Sequence, residues 1–157
     1  MPKKIFISII DGQGGGIGRN LVGKLRKLIL KNKELYKDYS ITICALGTNS
    51  TATNNMIKAG ADVGATGENA IIRTSAKSDI ILGPLAIITA NSMLGELTPA
   101  MAVAISSSSA QKILIPLNRC GVIVAAELKE TTDTYIDYSI QLVKEYLENK
   151  WDISLQM

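Results

Sequence analysis

The residues best placed to do chemistry in this chain are Asp11, Gly12, Gln13, Gly14, Gly15, Gly16, Ile17 and Gly18. They follow an apolar run from Ile5 to Ile10 and precede a stretch with Leu21, Val22, Leu25, Leu28 and Ile29 at helical spacing. Glycine is needed where the backbone takes a positive φ, or where it must lie against a ligand with no Cβ between them. A helix beginning near Ile17 turns its free N–H groups and the positive end of its dipole toward the same space. Strand, glycine turn and helix N-terminus together form the physical arrangement that holds a phosphate or pyrophosphate. The competing explanation is a turn that only lets strand and helix pack closely. Five glycines exceed what packing needs, so an anionic cofactor is the expected occupant.

The spacing G-x-G-x-x-G fails from Gly12, because Ile17 stands in its sixth place. G-x-x-x-G-x-G fits through Gly12, Gly16 and Gly18 and resembles the cofactor turn of short-chain dehydrogenases. No G-K-[ST] closes the turn, so it is not a Walker A loop. Asp11 stands where those dehydrogenases carry a small hydroxyl residue, and its carboxylate repels a pyrophosphate unless a metal or hydrogen bonds intervene. The second strand, Ile41 to Leu46, ends in Gly47, Thr48, Asn49, Ser50 and Thr51, without the acid that would take the adenosine ribose. Hydroxyls and an amide there can meet a sugar or a 2′-phosphate, but no arginine accompanies them. NAD and NADP both stay open as the cofactor.

These residues need elements to position them. Strands are expected at Ala61 to Ala65, Asp79 to Leu82 and Lys112 to Leu117, with a possible edge strand at Val122 to Ala126. Helices are expected from Ala52 to Ala59, from Gly67 to Ala76 with Thr66 as cap, and from Thr98-Pro99 to Ser107. A final amphipathic helix is expected from Thr132 to Lys150. Short apolar strands alternating with helices predict an α/β, Rossmann-like three-layer sandwich, with a mostly parallel, doubly wound sheet of about five or six strands. A single domain over residues 1–157 is expected.

In such a sheet ligands bind beyond the C-terminal ends of the strands. That edge should carry Thr48-Asn49-Ser50, Thr66 to Asn69, Gly83-Pro84 and Asn118-Arg119-Cys120 beside the glycine turn. Gly83 and Asn118 therefore join the cofactor candidates, and Arg119 is the cation placed to meet an anion. Glu68 and Glu96 are candidate acids or bases, although Glu68 at a helix N-terminus also serves the dipole. Cys120 beside Arg119 is a candidate nucleophile with no histidine to activate it. Tyr146 and Lys150 form Y-x-x-x-K, but on the last charged helix the pair reads as a solvated face.

The chain has no histidine and no C-x-x-C pair, which excludes the usual zinc sites and points to a reducing, cytoplasmic setting. No signal peptide is legible. A net charge of +3 and seven aromatic residues give little support to a nucleic-acid partner. In a doubly wound sheet the first and last helices often share a face, so the basic residues crowding the first helix and the acids of the last are expected to be neighbours. The apolar run from Ile80 to Leu97 is interrupted by Gly83-Pro84, Asn91 and Glu96, which argues against a membrane span. Its surplus of apolar side chains, with Ile87, Ile88, Met93 and Leu94, leads us to expect a homo-oligomer.

Five longer segments resemble one family: I-D-G-Q-G-G-G-I-G (Ile10 to Gly18), A-L-G-T-N-S (Ala45 to Ser50), A-G-A-D-V-G-A-T-G-E-N-A (Ala59 to Ala70), A-N-S-M-L-G-E-L-T-P-A-M-A (Ala90 to Ala102) and I-L-I-P-L-N-R-C (Ile113 to Cys120). The family is a small bacterial one described as a domain of unknown function, number 3842. The resemblance implies a Rossmann-like fold and brings no assigned activity. The leading expectation is a protein that holds a nucleotide-type cofactor, NAD(P) first, on Gly12 to Gly18. A non-catalytic sensor is one alternative, favoured by the missing acid–base pair. An enzyme acting on a phosphorylated metabolite is another, with Glu68 or Glu96 as base and Arg119 as anion clamp.

Overall fold

Strand β1 (Lys3–Asp11) is buried without interruption from Ile7 to Asp11, as a strand covered on both faces must be. The computed structural model describes residues 1–149 and places β1 in the middle of a five-stranded sheet. After it come α1 (Gly16–Lys31), β2 (Tyr39–Gly47), α2 (Ser50–Lys58), β3 (Val63–Thr66), α3 (Glu68–Ser75) and β4 (Ile80–Pro84). Two 3-10 turns, Leu85–Ile88 and Met93–Gly95, lead to α4 (Pro99–Ser107), β5 (Gln111–Ile115) and α5 (Thr132–Leu147). All strands are parallel in the order β3-β2-β1-β4-β5. Successive connections run one way from β1 and then the other, which opens a crevice beyond β1 and β4.

The two faces carry separate cores. On one, Ile5, Ile7 and Ile9 of β1 meet Leu21 and Leu25 of α1, Met56 of α2, and Ile136 and Val143 of α5. On the other, Ile10 and Ile81 meet Ile71 of α3 and Met101 and Ile105 of α4. Most of the apolar stretch from Leu82 to Leu97 belongs to these cores. Leu82, Ile87 and Leu97 are fully buried and Met93 nearly so, leaving Leu94 outward. The surplus that pointed to an oligomer is therefore mostly interior packing. Among the described residues no helix is long and apolar enough to cross a membrane.

Several boundaries differ from expectation for local reasons. β4 continues through Gly83 and Pro84, which pair with Leu114 and Ile115 of β5. The Val122–Ala126 stretch forms no strand, because its donors are used within the loop. The Val124 N–H goes to Asn118 Oδ1 at 2.9 Å and the Ala126 N–H to the Val124 carbonyl at 2.7 Å. Gly67, not Thr66, occupies the cap position of α3, and the Thr66 hydroxyl bonds Thr53 instead at 2.7 Å. Lys150, and with it the Tyr146–Lys150 pair, lies outside the described residues. The first and last helices pack side by side on one face of the sheet, and Lys24 Nζ meets Asp137 between them at 2.6 Å.

Candidate functional site

Asp11 ends β1 and is buried. Its carboxylate folds back under the glycine turn, Oδ1 accepting the Gly12 N–H and Oδ2 the Gly18 N–H, each at 2.8 Å. Gly18 is the third residue of α1, and the cap residue Gly15 has no side chain to offer. Asp11 thus supplies from the strand the acceptor that a helix N-terminus ordinarily gets from its cap. Burial raises its pKa above the ordinary carboxylate value, against the lowering effect of the Gly18 and Gly12 N–H bonds, and the nearby Glu96 charge adds to the rise.

The glycines of the turn divide into two sets. Gly15 has φ 68°, and a Cβ there would stand 2.8 Å from the Ala52 Cα. A Cβ on Gly18 would meet Met56 Sδ at 2.5 Å and Asp11 Cβ at 2.9 Å, and one on Gly12 would meet Met93 Sδ and Thr48 Oγ1 at 2.5 Å. The fold itself explains these three. Gly14 and Gly16 are different: both are exposed, neither has a positive φ, and a Cβ on either would touch nothing within 4 Å. Their N–H groups have no partner among the described residues.

A clasp closes over the β2 side of the turn. Glu96 Oε1 accepts from the Gln13 N–H at 3.0 Å, Thr48 Oγ1 at 2.8 Å and Asn49 Nδ2 at 2.6 Å. Asn49 also caps α2 through the Ala52 N–H at 2.9 Å and donates to the Gln13 carbonyl at 2.9 Å. Asn55, further along α2, donates to the Gly14 carbonyl at 2.9 Å. Partial burial of Glu96 would raise its pKa, but the bonds from Asn49, Thr48 and Gln13 outweigh it and hold the carboxyl below the ordinary value.

On the other side of the turn, toward β4 and β5, lies a cleft of about 560 Å³. Asp11, Gln13 and Ile17 line it from below, Asn91 and Ser92 from the β4–α4 connection, and Arg119 and Cys120 from the loop after β5. Its volume falls within the range of small-molecule sites. Arg119 and Cys120 are exposed there, and Cys120 takes φ 56°.

The remaining sequence candidates lie elsewhere. Gly83 is buried in β4, where a Cβ would strike the Ile10 carbonyl, so strand packing explains it. Asn118 shapes the loop carrying Arg119 by accepting the Val124 N–H. Exposed Ser50 begins α2, beside the clasp. Glu68 is exposed and accepts from the Thr98 hydroxyl at 2.6 Å, tying α3 to α4 away from the cleft. Asn55 and Met93 escaped sequence reasoning: an amide on a short helix and a methionine in an apolar run carry no local signal of a loop they reach across space.

A parallel sheet in this order, with a glycine turn opening the first crossover helix, defines a Rossmann-like α/β protein. The family model described as Domain of unknown function (DUF3842) matches residues 6–148, and the chain belongs to that family. Among solved structures it is similar to S. aureus homoserine dehydrogenase crystallised at pH 6.0, at 13% identity and a TM-score of 0.39, covering 91% of this chain and 43% of that one. The same enzyme at pH 6.5 gives 13% identity, a TM-score of 0.38 and coverage of 91% and 44%. The chain therefore spans less than half the length of these structures. No curated protein matches it.

Proposed function

We propose that the chain binds a nucleotide-type cofactor, NAD(P) first among them, with its phosphates on the glycine turn and part of the ligand in the switch-point cleft. The observation that carries this is the pair Gly14 and Gly16. Among the described residues nothing requires a glycine at either position, and neither N–H, beside the helix N-terminus, has a partner there. A ligand approaching the backbone at that point explains both residues. Asp11 is compatible with a bound phosphate because its carboxylate oxygens accept the Gly12 and Gly18 N–H groups. Arg119, on the cleft wall, is the cation available to a second anionic group.

Binding or sensing is favoured over turnover. Glu96 is held ionised by three donors, away from the near-neutral pKa that suits a general base. Glu68 is engaged with Thr98, outside the cleft.

The test is a thermal-shift panel with NAD, NADH, NADP, NADPH, ATP, FMN and coenzyme A. A ligand at about 100 times its Kd adds about 2.7 kcal/mol and moves the midpoint by several degrees. The expected result is a shift with at least one dinucleotide that disappears in Gly16→Ala, whose unliganded midpoint matches wild type. No shift with any ligand, or an undiminished shift in Gly16→Ala, contradicts the proposal.

A further inference from the structure

We propose that Glu96 supplies, from the connection between β4 and α4, the carboxylate that accepts the adenosine ribose hydroxyls, and that it selects a free 2′-hydroxyl over a 2′-phosphate. This rests on the nucleotide-binding proposal above and deepens it.

Dinucleotide sites of this architecture use an acid near the end of the second strand for that purpose. Here β2 ends at Gly47 and the following Thr48, Asn49 and Ser50 include none. The fold fills the gap from elsewhere. Glu96 Oε1 is bonded to the Thr48 hydroxyl and the Asn49 amide, the first two residues beyond β2. The same oxygen stands 3.4 Å from where a Cβ on Gly12 would be. A carboxylate thus sits over the first glycine of the turn at the C-terminal edge of β2. Oε2 has no partner among the described residues, and the side chain is only partly buried, so one oxygen remains to accept from a sugar.

The backbone that delivers Glu96 is held in a tight turn. Asn91, Met93 and Leu94 take φ of 63°, 57° and 56°, in the left-handed region that asparagine tolerates but methionine and leucine rarely enter. Leu94 is 98% exposed, so burial of its side chain does not compensate the strain. Strain held in this way clusters at functional sites. What the tight turn accomplishes is to end at Glu96 and aim it across Gly12 at β2.

Charge settles the direction of selectivity. Among the described residues no lysine or arginine forms an ion pair with Glu96. A 2′-phosphate would face this unneutralised carboxylate, whereas a ribose hydroxyl would donate to it.

Equilibrium binding of NAD and NADP to the full chain, wild type and Glu96→Gln, tests this. The glutamine keeps an oxygen for Thr48, Asn49 and Gln13, so the clasp survives while the charge goes. Wild type should prefer NAD by about tenfold or more, and Glu96→Gln should weaken NAD about tenfold and bring the two affinities close together. Equal affinities in wild type, a preference for NADP, or a preference unchanged in Glu96→Gln overturns the role of Glu96 alone. Binding of neither dinucleotide to wild type removes the nucleotide-binding proposal and this inference together.

Discussion

Gly15 and Gly16 are adjacent, but they are glycines for different reasons. Gly15 turns the chain left-handed beneath Ala52, so Gly15→Ala meets both backbone strain and the Ala52 Cα at 2.8 Å. It should lose about 1–3 kcal/mol in urea unfolding, while Gly14→Ala and Gly16→Ala stay within about 0.5 kcal/mol of wild type. Equal losses at all three would mean that the open pair is structural after all. Glu96 carries a pH signature. Its folded pKa lies below the ordinary 4.5, so its contribution to stability is full above that value and is lost as pH falls through the folded pKa. The stability gap between wild type and Glu96→Gln should therefore be constant near neutrality and shrink in acid. A gap that widens in acid would contradict the clasp. The glycine turn was legible because it is local. The clasp was not, since Gln13 and Glu96 lie 83 residues apart and nothing in either neighbourhood names the other.

At the scale of elements, the strongest local signals are those with a mechanism attached. Thr98-Pro99 predicted a cap and a first-turn proline, and the Thr98 hydroxyl does accept the Met101 N–H at 3.2 Å. Thr98→Ala should cost about 1 kcal/mol and free Glu68, measurable by thermal unfolding; no loss would mean that α4 is held by its buried face alone. The misread elements fail where a tertiary partner outbids the local preference. Val122 to Ala126 has the apolar character of a strand, but Asn118 takes the Val124 N–H and the segment curls into the loop that carries Arg119. Thr66 has the chemistry of a cap, but Thr53 engages its hydroxyl. Gly83-Pro84 reads as a breaker, yet at the end of a strand proline costs little and glycine relieves contact with the Ile10 carbonyl.

Over the whole molecule, the strand order decides what the residues can do together. Because β1 lies between β2 and β4, the glycine turn is flanked by Thr48 and Asn49 on one side and by the β4 connection on the other. Asp11, beside the turn that carries the open glycines, lines a cleft shared with Arg119, far along the chain, only because the ends of β1, β4 and β5 lie side by side. The central claim is that Gly14 and Gly16 are open for a phosphate-bearing ligand, and amide NMR tests it most directly. With NAD added to isotopically labelled full-length protein, the Gly14 and Gly16 amide resonances should shift in a saturable way, together with those lining the cleft. Saturating NAD, NADP and ATP that leave both amides unmoved, or shifts confined to another surface, would contradict the account.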